Sequence, residues 1–227
     1  KQFEPNRRFL HDTYSPITET KVLTDTYEKS QAQILETFKF RVNGNMKDKV
    51  SLMLMNEILG GNSSSRLFND LREKQQLAYH VGSELDYTDN VGLITLNIGT
   101  TTDNKSHGEI SYDNVEKSIN GFNNHIKKIT SEKVGEEELE AAKLSLKNGI
   151  LSECEVNSSK NYVLASGLRD FYGELSINDV LKMIDAISAD DIYNTAKFVF
   201  AGKPMYSILA TEDTIAANKE FFNSLCK

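Results

Sequence analysis

Two neighbouring segments with a period of two, residues 77–87 and 91–99, constrain the fold of this chain more than any other feature. In the first segment, one face carries Leu77, Tyr79, Val81, Leu85 and Tyr87. In the second, Ile94, Leu96 and Ile98 alternate with Thr95 and Asn97. Because such alternation is typical of half-buried strands, and only a short turn sequence, "TDN", separates the two, we predict an antiparallel β-hairpin in the middle of a sheet.

The rest of the chain mostly has the helical spacing of apolar side chains. A helix is predicted at residues 47–61, ended by Gly60 and Gly61 as a left-handed C-cap. The next helix is predicted to begin at an N-cap formed by the serines at 63–65. The remaining predicted elements are strands at 31–42 and 205–210, a turn at Asn43 and Gly44, helices at 115–129, 136–150, 162–171 and 214–225, and helices that start at Ser176 and Ser188.

Strands and helices are partly segregated in this order of elements. That segregation predicts an α+β fold, a two-layer α/β sandwich whose antiparallel or mixed sheet is covered by helices mainly on one face. Residues 1–30 are polar and turn-rich, and we predict a linker or an extended entry segment there. No internal repeat, low-complexity tract or proline-rich linker divides residues 31–227, which we predict as a single domain.

The charge balance excludes nucleic acid as a partner, because the net charge is −7 and the lysines and arginines are interspersed with acids. No apolar run approaches the roughly 18 residues that a membrane span requires, so we expect no membrane partner. The first residues, "KQFEPNRRFL", lack the apolar core of a secretory signal. Cys154 and Cys226 have no metal-ligand spacing, and such sparse cysteines suit a reducing compartment. We expect a cytoplasmic location, with an organelle or an exported location left open.

The sequence contains no complete catalytic motif of the common hydrolase types. A helical zinc site needs HExxH or HxxEH, whereas His11, His80, His107 and His125 are isolated from one another. The "HGE" at His107 lacks the CxxC that completes a zinc deaminase site. There is no GxSxG motif for a nucleophilic serine. The glycine-serine loop at 60–65 follows a predicted helix and contains no lysine, unlike a phosphate-binding Walker loop.

Arg72 and Tyr79 remain as candidate binding residues. Arg72 lies in the last turn of a predicted helix, and Tyr79 is the third residue of the strand predicted to begin at Leu77. An arginine and a tyrosine hydroxyl brought together by the chain reversal can hold a peptide carbonyl and stabilise charge on its oxygen. Alternatively, Arg72 pairs with Glu73 or Asp70 on a solvated face. Tyr79 would then be a core aromatic with a solvated hydroxyl, and the residues alone leave both alternatives open.

The stretch "EILGGNSSSRLFNDLREKQQLAYHVGSELDYTDNVGLITLNIGTT" strongly resembles the second, non-catalytic domain of the pitrilysin/insulinase-type (M16) zinc metallopeptidases, which include the mitochondrial processing peptidases. Downstream, "GEEELEAAKLSLKNGIL" resembles that family's EELxxAK helix, and "AISADDIYNTAKFVF" resembles a later family helix. These matches occur in the family's order over roughly residues 31–210.

The resemblance implies a clamshell of two homologous α+β halves that close around an unfolded peptide. One half carries HxxEH and a more distant glutamate as zinc ligands, and this chain, which lacks HxxEH, looks like the other half. It is expected to bind no cofactor itself, with zinc in the complementary half. The family's second half supplies an arginine and a tyrosine, seven residues apart, to the substrate near the scissile bond; Arg72 and Tyr79 match that pair. The Gly60–Asn62 loop would line the cavity or contact the other half.

Two hypotheses about function follow from the resemblance. In the first, the chain is the substrate-binding, non-metal half of a zinc metalloendopeptidase, inactive alone, whose partners are an HxxEH-containing domain or subunit and a peptide substrate. The partner's zinc would activate water, and Arg72 with Tyr79 would orient the substrate. In the second, the chain is a catalytically silent structural or assembly subunit of the same fold. In both, Arg66 is given a structural role, and Glu136–Glu138 begin a helix and form no metal site.

Overall fold

A five-stranded mixed sheet organises the fold. The computed structural model describes residues 14–42, 46–88, 90–106, 109–153, 155 and 177–227. The strands, numbered along the chain, are β1 (Lys21–Thr26), β2 (Gln31–Arg41), β3 (Ala78–Tyr87), β4 (Val91–Thr101), β5 (Asn104–Ser106), β6 (Glu109–Ser111) and β7 (Met205–Ala210). The sheet has the order β1-β7-β2-β4-β3, while β5 and β6 form a separate ribbon. Only the β1–β7 pairing among these is parallel.

The helices include two segments of π-helix that frame the candidate site. Helix α1 (Met46–Asn56) continues directly into π1 (Glu57–Gly61), and π2 (Phe68–Lys74) follows a short connection. The other helices are α2 (Asn114–Ser131), α3 (Glu136–Glu153), α4 (Ile177–Ala186), α5 (Ala189–Val199), α6 (Glu212–Ala217) and α7 (Lys219–Leu225). Among the described residues, no helix has the length and apolar character that crossing a membrane demands.

Strand β2 explains why the sheet has one covered face. Its alternate residues Ala32, Ile34, Glu36, Phe38 and Phe40 are buried, whereas the residues between them are exposed or half-buried. Successive side chains of a strand point to opposite faces, so the buried set faces the helices and the other set lies on the open face. This arrangement confirms the predicted α+β sandwich with helices mainly on one face of the sheet.

The strongest periodic signals in the sequence are confirmed. Strands β3 and β4 pair antiparallel, with Val81 opposite Ile98 and Leu85 opposite Ile94, as the predicted hairpin requires. The helices predicted at 115–129 and 136–150 are α2 and α3. The capping box predicted at Ser188 is present: Asp191 N donates to Ser188 Oγ at 3.2 Å, and Ser188 N donates to Asp191 Oδ2 at 2.9 Å.

Weakly patterned elements were missed. Strand β1 lies within the stretch 1–30 that the sequence predicts as a linker or extended entry segment, so the sheet begins before residue 31. As an edge strand it packs only Val22 against the core, which leaves no alternating signal. The predicted helix at 214–225 is two helices separated at Asn218, whose side-chain amide donates to Tyr112 O and Thr214 O, both at 2.9 Å.

Some predictions fall outside the residues that the structure describes. They are the turn at 43–44, the helix at 162–171, the helix start at Ser176, and the side chains of His11, His107 and Cys154.

Candidate functional site

Arg72 lies on π2 with its guanidinium partly open to solvent, at 41 % side-chain exposure. Its Cζ atom lies 4.6 Å from the centre of the Phe68 ring, four residues earlier, so the ring supports the guanidinium plane. Arg72 also lies beside Glu73, as the alternative of a solvated ion pair predicts, with Glu73 Oε1 3.7 Å from Arg72 Nε. Because exposed ion pairs at such distances contribute little, most of the donor capacity of Arg72 is available to a ligand.

Helix α2 holds the two residues that precede Arg72. Leu71 is fully buried against Gly121, where an added Cβ would lie 2.4 Å from Leu71 Cδ2. One turn further along α2, His125 Nε2 lies 2.7 Å from Asp70 Oδ2. Burial alone would raise the pKa of Asp70, but hydrogen bonds with Gln75 and His125 outweigh it and hold the pKa of this carboxyl below its usual value. The side of π2 opposite Arg72 is therefore fixed to α2.

The turn between π2 and β3 reverses the chain, so that the start of β3 lies beside the end of π2. Gln76 has a φ of 54°, in the left-handed region, which reverses the chain sharply. Leu77 N then donates to Leu71 O at 2.8 Å, and Leu77 O accepts from Thr100 Oγ1 at 2.6 Å. The residue after Leu71 is Arg72, and Tyr79 is two residues after Leu77. The two candidate residues therefore extend from segments joined by one backbone hydrogen bond.

Tyr79 occupies a β-bulge at the start of β3. Ala78 pairs with Thr100 and His80 with the adjacent Gly99, so Tyr79 is the extra residue on its strand. Regular alternation would place Tyr79 on the buried face with Val81, but the residue is 79 % exposed. The alternative that Tyr79 is a core aromatic is therefore wrong. The bulge presents its ring and hydroxyl to solvent beside the end of π2.

The glycines at 60 and 61 do not form the predicted left-handed C-cap. They lie inside π1, and Asn62, which follows, has an extended φ of −148°. A Cβ added to Gly60 would lie 2.5 Å from Ser83 N and 2.8 Å from Gly82 C, so only glycine permits this approach to β3. Gly60 therefore allows π1 to pack directly on the edge strand that carries Tyr79.

Asn62 is bound within its own loop. Its Nδ2 donates to Glu57 Oε1 at 2.6 Å and approaches Ser145 Oγ of α3 at 3.4 Å, and its Oδ1 accepts from Ser64 N at 2.6 Å. At the start of the next helix, the side chain that accepts a backbone N–H is therefore that of Asn62 and not one of the predicted serine caps. Ser65 Oγ has no hydrogen-bond partner within the described ranges. The Asn62 amide is therefore occupied on the side of α3.

Arg66 ties the same loop to α3. Its Nε and Nη2 donate to the two carboxylate oxygens of Glu138, both at 2.7 Å, in a bidentate pair. The arginine side chain is only 12 % exposed. This geometry agrees with the structural role expected for Arg66 and accounts for one of the acids at the start of α3.

The described residues do not fit a zinc ion. Across the described ranges, no group of three or more His, Cys, Asp or Glu side chains could hold a metal. His80 is exposed on β3, and His125 is bound to Asp70. The Asp70–His125 pair was not predicted, since 55 residues separate its members and no local spacing indicates the contact.

Glu36 is a second titratable group whose environment the sequence did not reveal. The residue interrupts the apolar pattern of β2, yet it is fully buried on the covered face. Tyr206 Oη donates to Glu36 Oε1 at 3.0 Å, and Oε2 has no partner in the described part of the chain. Burial raises the pKa of Glu36 to about 8, although the hydrogen bond from Tyr206 opposes the rise. Glu36 lies beneath the helices and away from the open face.

Comparisons with known proteins give the fold a family context. The family model described as the peptidase M16 inactive domain matches residues 3–146. An uncharacterised zinc protease of Rickettsia felis is 31 % identical over 169 residues, which cover 74 % of this chain and 38 % of that protein. The chain thus spans well under half of the length of that relative.

Solved structures share the fold at lower identity. The peptidase M16 inactive domain from Pseudomonas fluorescens has a TM-score of 0.71 at 17 % identity, covering 88 % of this chain and 45 % of that one. A chain of complex III2 from Candida albicans has a TM-score of 0.70 at 13 % identity, covering 92 % and 49 %. The family-model match, which extends over more than half of the sequence, shows that this chain belongs to the peptidase M16 inactive domain family.

Proposed function

We propose that this chain is the substrate-binding, non-metal half of a zinc metalloendopeptidase that cleaves peptides or unfolded segments. The observation that carries the proposal is the pairing of Arg72 and Tyr79: two exposed donors, anchored to one hydrogen-bonded turn, on a domain of the M16 inactive class. Tyr79 is exposed because a bulge removes it from the buried face of β3. A buried tyrosine at this position would serve packing alone.

The chemistry of the pair suits a peptide carbonyl. Arg72 offers charged N–H donors in a planar fork, and Tyr79 offers a neutral hydroxyl donor. Donors fixed in advance stabilise negative charge that develops on a carbonyl oxygen during amide hydrolysis. The Phe68 ring and the Leu71–Leu77 hydrogen bond limit how far either donor has to move. In the proposed role, both residues orient the substrate and stabilise charge on its oxygen.

The complementary half is proposed to carry HxxEH and the zinc. Since the described residues of this chain do not fit the metal, we assign no zinc-dependent step to them. The Rickettsia felis zinc protease extends well beyond the matched region, which leaves room for a homologous domain in the same polypeptide, although a separate subunit is equally compatible. In the proposed clamshell, the Gly60–Asn62 loop lies at the wall of the cavity, on the β3 side.

A second candidate function is a catalytically silent structural or assembly subunit. The likeness to a chain of complex III2 from Candida albicans supports it, because complex III2 is by its name a multi-chain assembly. The exposure of Arg72 and Tyr79 favours the first proposal, since a scaffold gains nothing from two solvent-facing donors at a bulge.

The test is peptide cleavage by the complete enzyme, this domain together with its HxxEH-bearing half. Arg72→Ala and Tyr79→Phe should each lower kcat/KM at least about tenfold, the equivalent of roughly 1.4 kcal/mol. Matched controls are Arg41→Ala and Tyr27→Phe, exposed residues of the same types elsewhere in the sheet region, which should leave kcat/KM unchanged. If both site variants cleave like the wild type, the assigned roles are wrong and the scaffold function is favoured.

A further inference from the structure

We propose that His125 of α2 is a positioning residue for Arg72. The inference rests on the proposed function, because it concerns how the substrate-binding arginine is held. Arg72 is the third of three consecutive residues on π2, and α2 contacts the side chains of the first two, Asp70 and Leu71. The contact of His125 is with Asp70, two residues before Arg72, so in this proposal it acts through the backbone of π2.

Two contacts on one face of α2, Gly121 with Leu71 and His125 with Asp70, hold π2, and together they are called the clamp. Gly121 leaves the space that the fully buried Leu71 side chain fills. His125, four residues later and therefore on the same helical face, reaches Asp70 at 2.7 Å. Packing at Gly121 holds the Leu71 side chain, and the hydrogen bond from the next turn of α2 to the preceding residue adds a second point of attachment that restrains the rotation of π2. That rotation decides where the Arg72 side chain points.

The clamp extends to the start of β3. The carbonyl of Leu71 accepts the hydrogen bond from Leu77 N, and the carbonyl of Leu77 is held by Thr100. A shift of π2 on α2 therefore moves the residue from which the Tyr79 bulge begins. Through the same contact, α2 sets the separation between the two substrate-binding side chains.

A histidine at this place carries a cost that its bond to Asp70 has to offset. The side chain is only 13 % exposed, and its Nδ1 is buried with no hydrogen-bond partner in the described ranges. A buried nitrogen without a partner costs on the order of 1–3 kcal/mol, which an apolar residue of similar size would not incur. The bond from Nε2 to Asp70 is what the histidine provides and a leucine does not.

The test is a double-mutant cycle in the complete enzyme. His125→Leu, which removes the donor, should lower kcat/KM roughly tenfold with little change in KM, because displacing a positioned group by about 1 Å has effects of this order or larger. His125→Gln, whose amide can still donate to Asp70, should retain most of the activity. Asn124→Leu, on the exposed side of the same helix, is the matched control and should behave like the wild type.

The decisive comparison is made in the Arg72→Ala background. If His125 acts through Arg72, His125→Leu should cause a clearly smaller loss there than in the wild-type background, and the remainder should disappear when Tyr79→Phe is added. An equal loss in both backgrounds, or no loss in either, would overturn the inference. If Arg72→Ala itself leaves cleavage unchanged, the proposed function has failed, and that outcome is distinct from an active Arg72 that does not depend on His125.

A second measurement covers the case in which His125→Leu folds poorly. Asp70→Ala removes the same bond from the partly exposed side and should give the same cycle with Arg72→Ala. Amide hydrogen exchange in both variants should accelerate at Leu77, whose N–H donates to Leu71, and stay unchanged at the β2–β4 ladder. Unchanged exchange at Leu77 would show that the bond to Asp70 does not hold the turn.

Discussion

The two π-helical segments pack beside the same edge strand but use their polar side chains in opposite ways. At π1, the groups of Glu57, Asn62 and the following Arg66 are consumed by hydrogen bonds within the loop and to α3. At π2, the buried side is held by α2, and Arg72 points its charge to solvent, followed by Tyr79 on its bulge. Internal pairing supports the fold, whereas exposed and anchored donors remain available to a ligand.

Because of this difference, the candidate ligand-binding groups lie at the end of π2 and the start of β3 rather than in the loop after π1. The glycine and serine loop resembles a ligand-binding loop by composition, yet Gly60 is needed for close packing on Ser83, and the Asn62 amide is occupied. The donors that face solvent come later, at Arg72 and Tyr79.

The largest expected effect concerns the sheet that supports both segments. The pKa of Glu36 in the folded protein is about 8, above its ordinary value of 4.5, so the folded state holds this proton more tightly than the unfolded chain does. The contribution of Glu36 to stability is complete below pH 4.5 and is lost as the pH rises to 8. Each pH unit in this range lowers the free energy of unfolding by about 1.4 kcal/mol, so the total loss between pH 5 and pH 8 is roughly 4 kcal/mol.

Urea unfolding at several pH values measures this effect. Glu36→Gln keeps an acceptor for Tyr206 but does not titrate, so the free energy of unfolding of this variant should decline much less between pH 5 and pH 8. The control Glu84→Gln, on the exposed part of β3, should show the same decline as the wild type. A decline of the same size in Glu36→Gln would show that the buried carboxyl of the sheet is not the titrating group. Asp70 would not account for it, because a carboxyl whose pKa lies below its usual value loses stability as the pH falls, not as it rises.

The next effect tests whether π1 is structural. Gly60→Ala places a Cβ 2.5 Å from the backbone nitrogen of Ser83, which cannot rotate away. Overpacking of this kind costs typically 1–3 kcal/mol, and we expect about 3 kcal/mol because the obstacle is backbone. Thermal and urea unfolding of the isolated chain provide the measurement.

Gly149→Ala is the matched control for Gly60→Ala. Gly149 lies in α3 with nothing within 4 Å of an added Cβ, so alanine there should raise the free energy of unfolding by up to about 1 kcal/mol. If Gly60→Ala is as stable as Gly149→Ala, π1 does not pack as tightly on β3 as its geometry implies.

The sequence predicted most of the fold where periodicity is strong. The hairpin and α2 follow from side chains that repeat every two or every three to four residues, and each pattern is local. Strand β1 was missed because its partner, β7, begins 184 residues after it and its side chains are mostly exposed. The order of the strands in the sheet is likewise set by contacts that no local pattern records.

The candidate site was less accessible to pattern analysis. Arg72 and Tyr79 were singled out by the predicted chain reversal between them, and their match to a family pair in type and spacing favoured the functional alternative. Alternation placed Tyr79 with Val81 on the buried face, and only the bulge reverses that expectation. The Asp70–His125 bond joins isolated residues whose sequence context gives no sign of a partner.

The smallest effect, and the sharpest test of the comparison, comes from two arginines six residues apart. Arg66→Ala leaves Glu138 without its bidentate partner and should lower the free energy of unfolding by about 2 kcal/mol, below the cost of a fully buried pair because Glu138 is partly exposed. Arg72→Ala removes an exposed contact with Glu73 and the stacking on Phe68 and should change stability by less than about 0.5 kcal/mol.

Activity should show the reverse order for these two variants. With the complete enzyme fully folded, at low temperature and without denaturant, Arg66→Ala should cleave peptide like the wild type. Arg72→Ala should show the loss of at least about tenfold in kcat/KM that its proposed role requires. The reason is that Arg66 directs all of its paired donors to α3, while Arg72 keeps its donors toward solvent. If Arg66→Ala loses cleavage while fully folded, the loop after π1 contacts substrate or the other half directly, and the two π-helical segments then share one site.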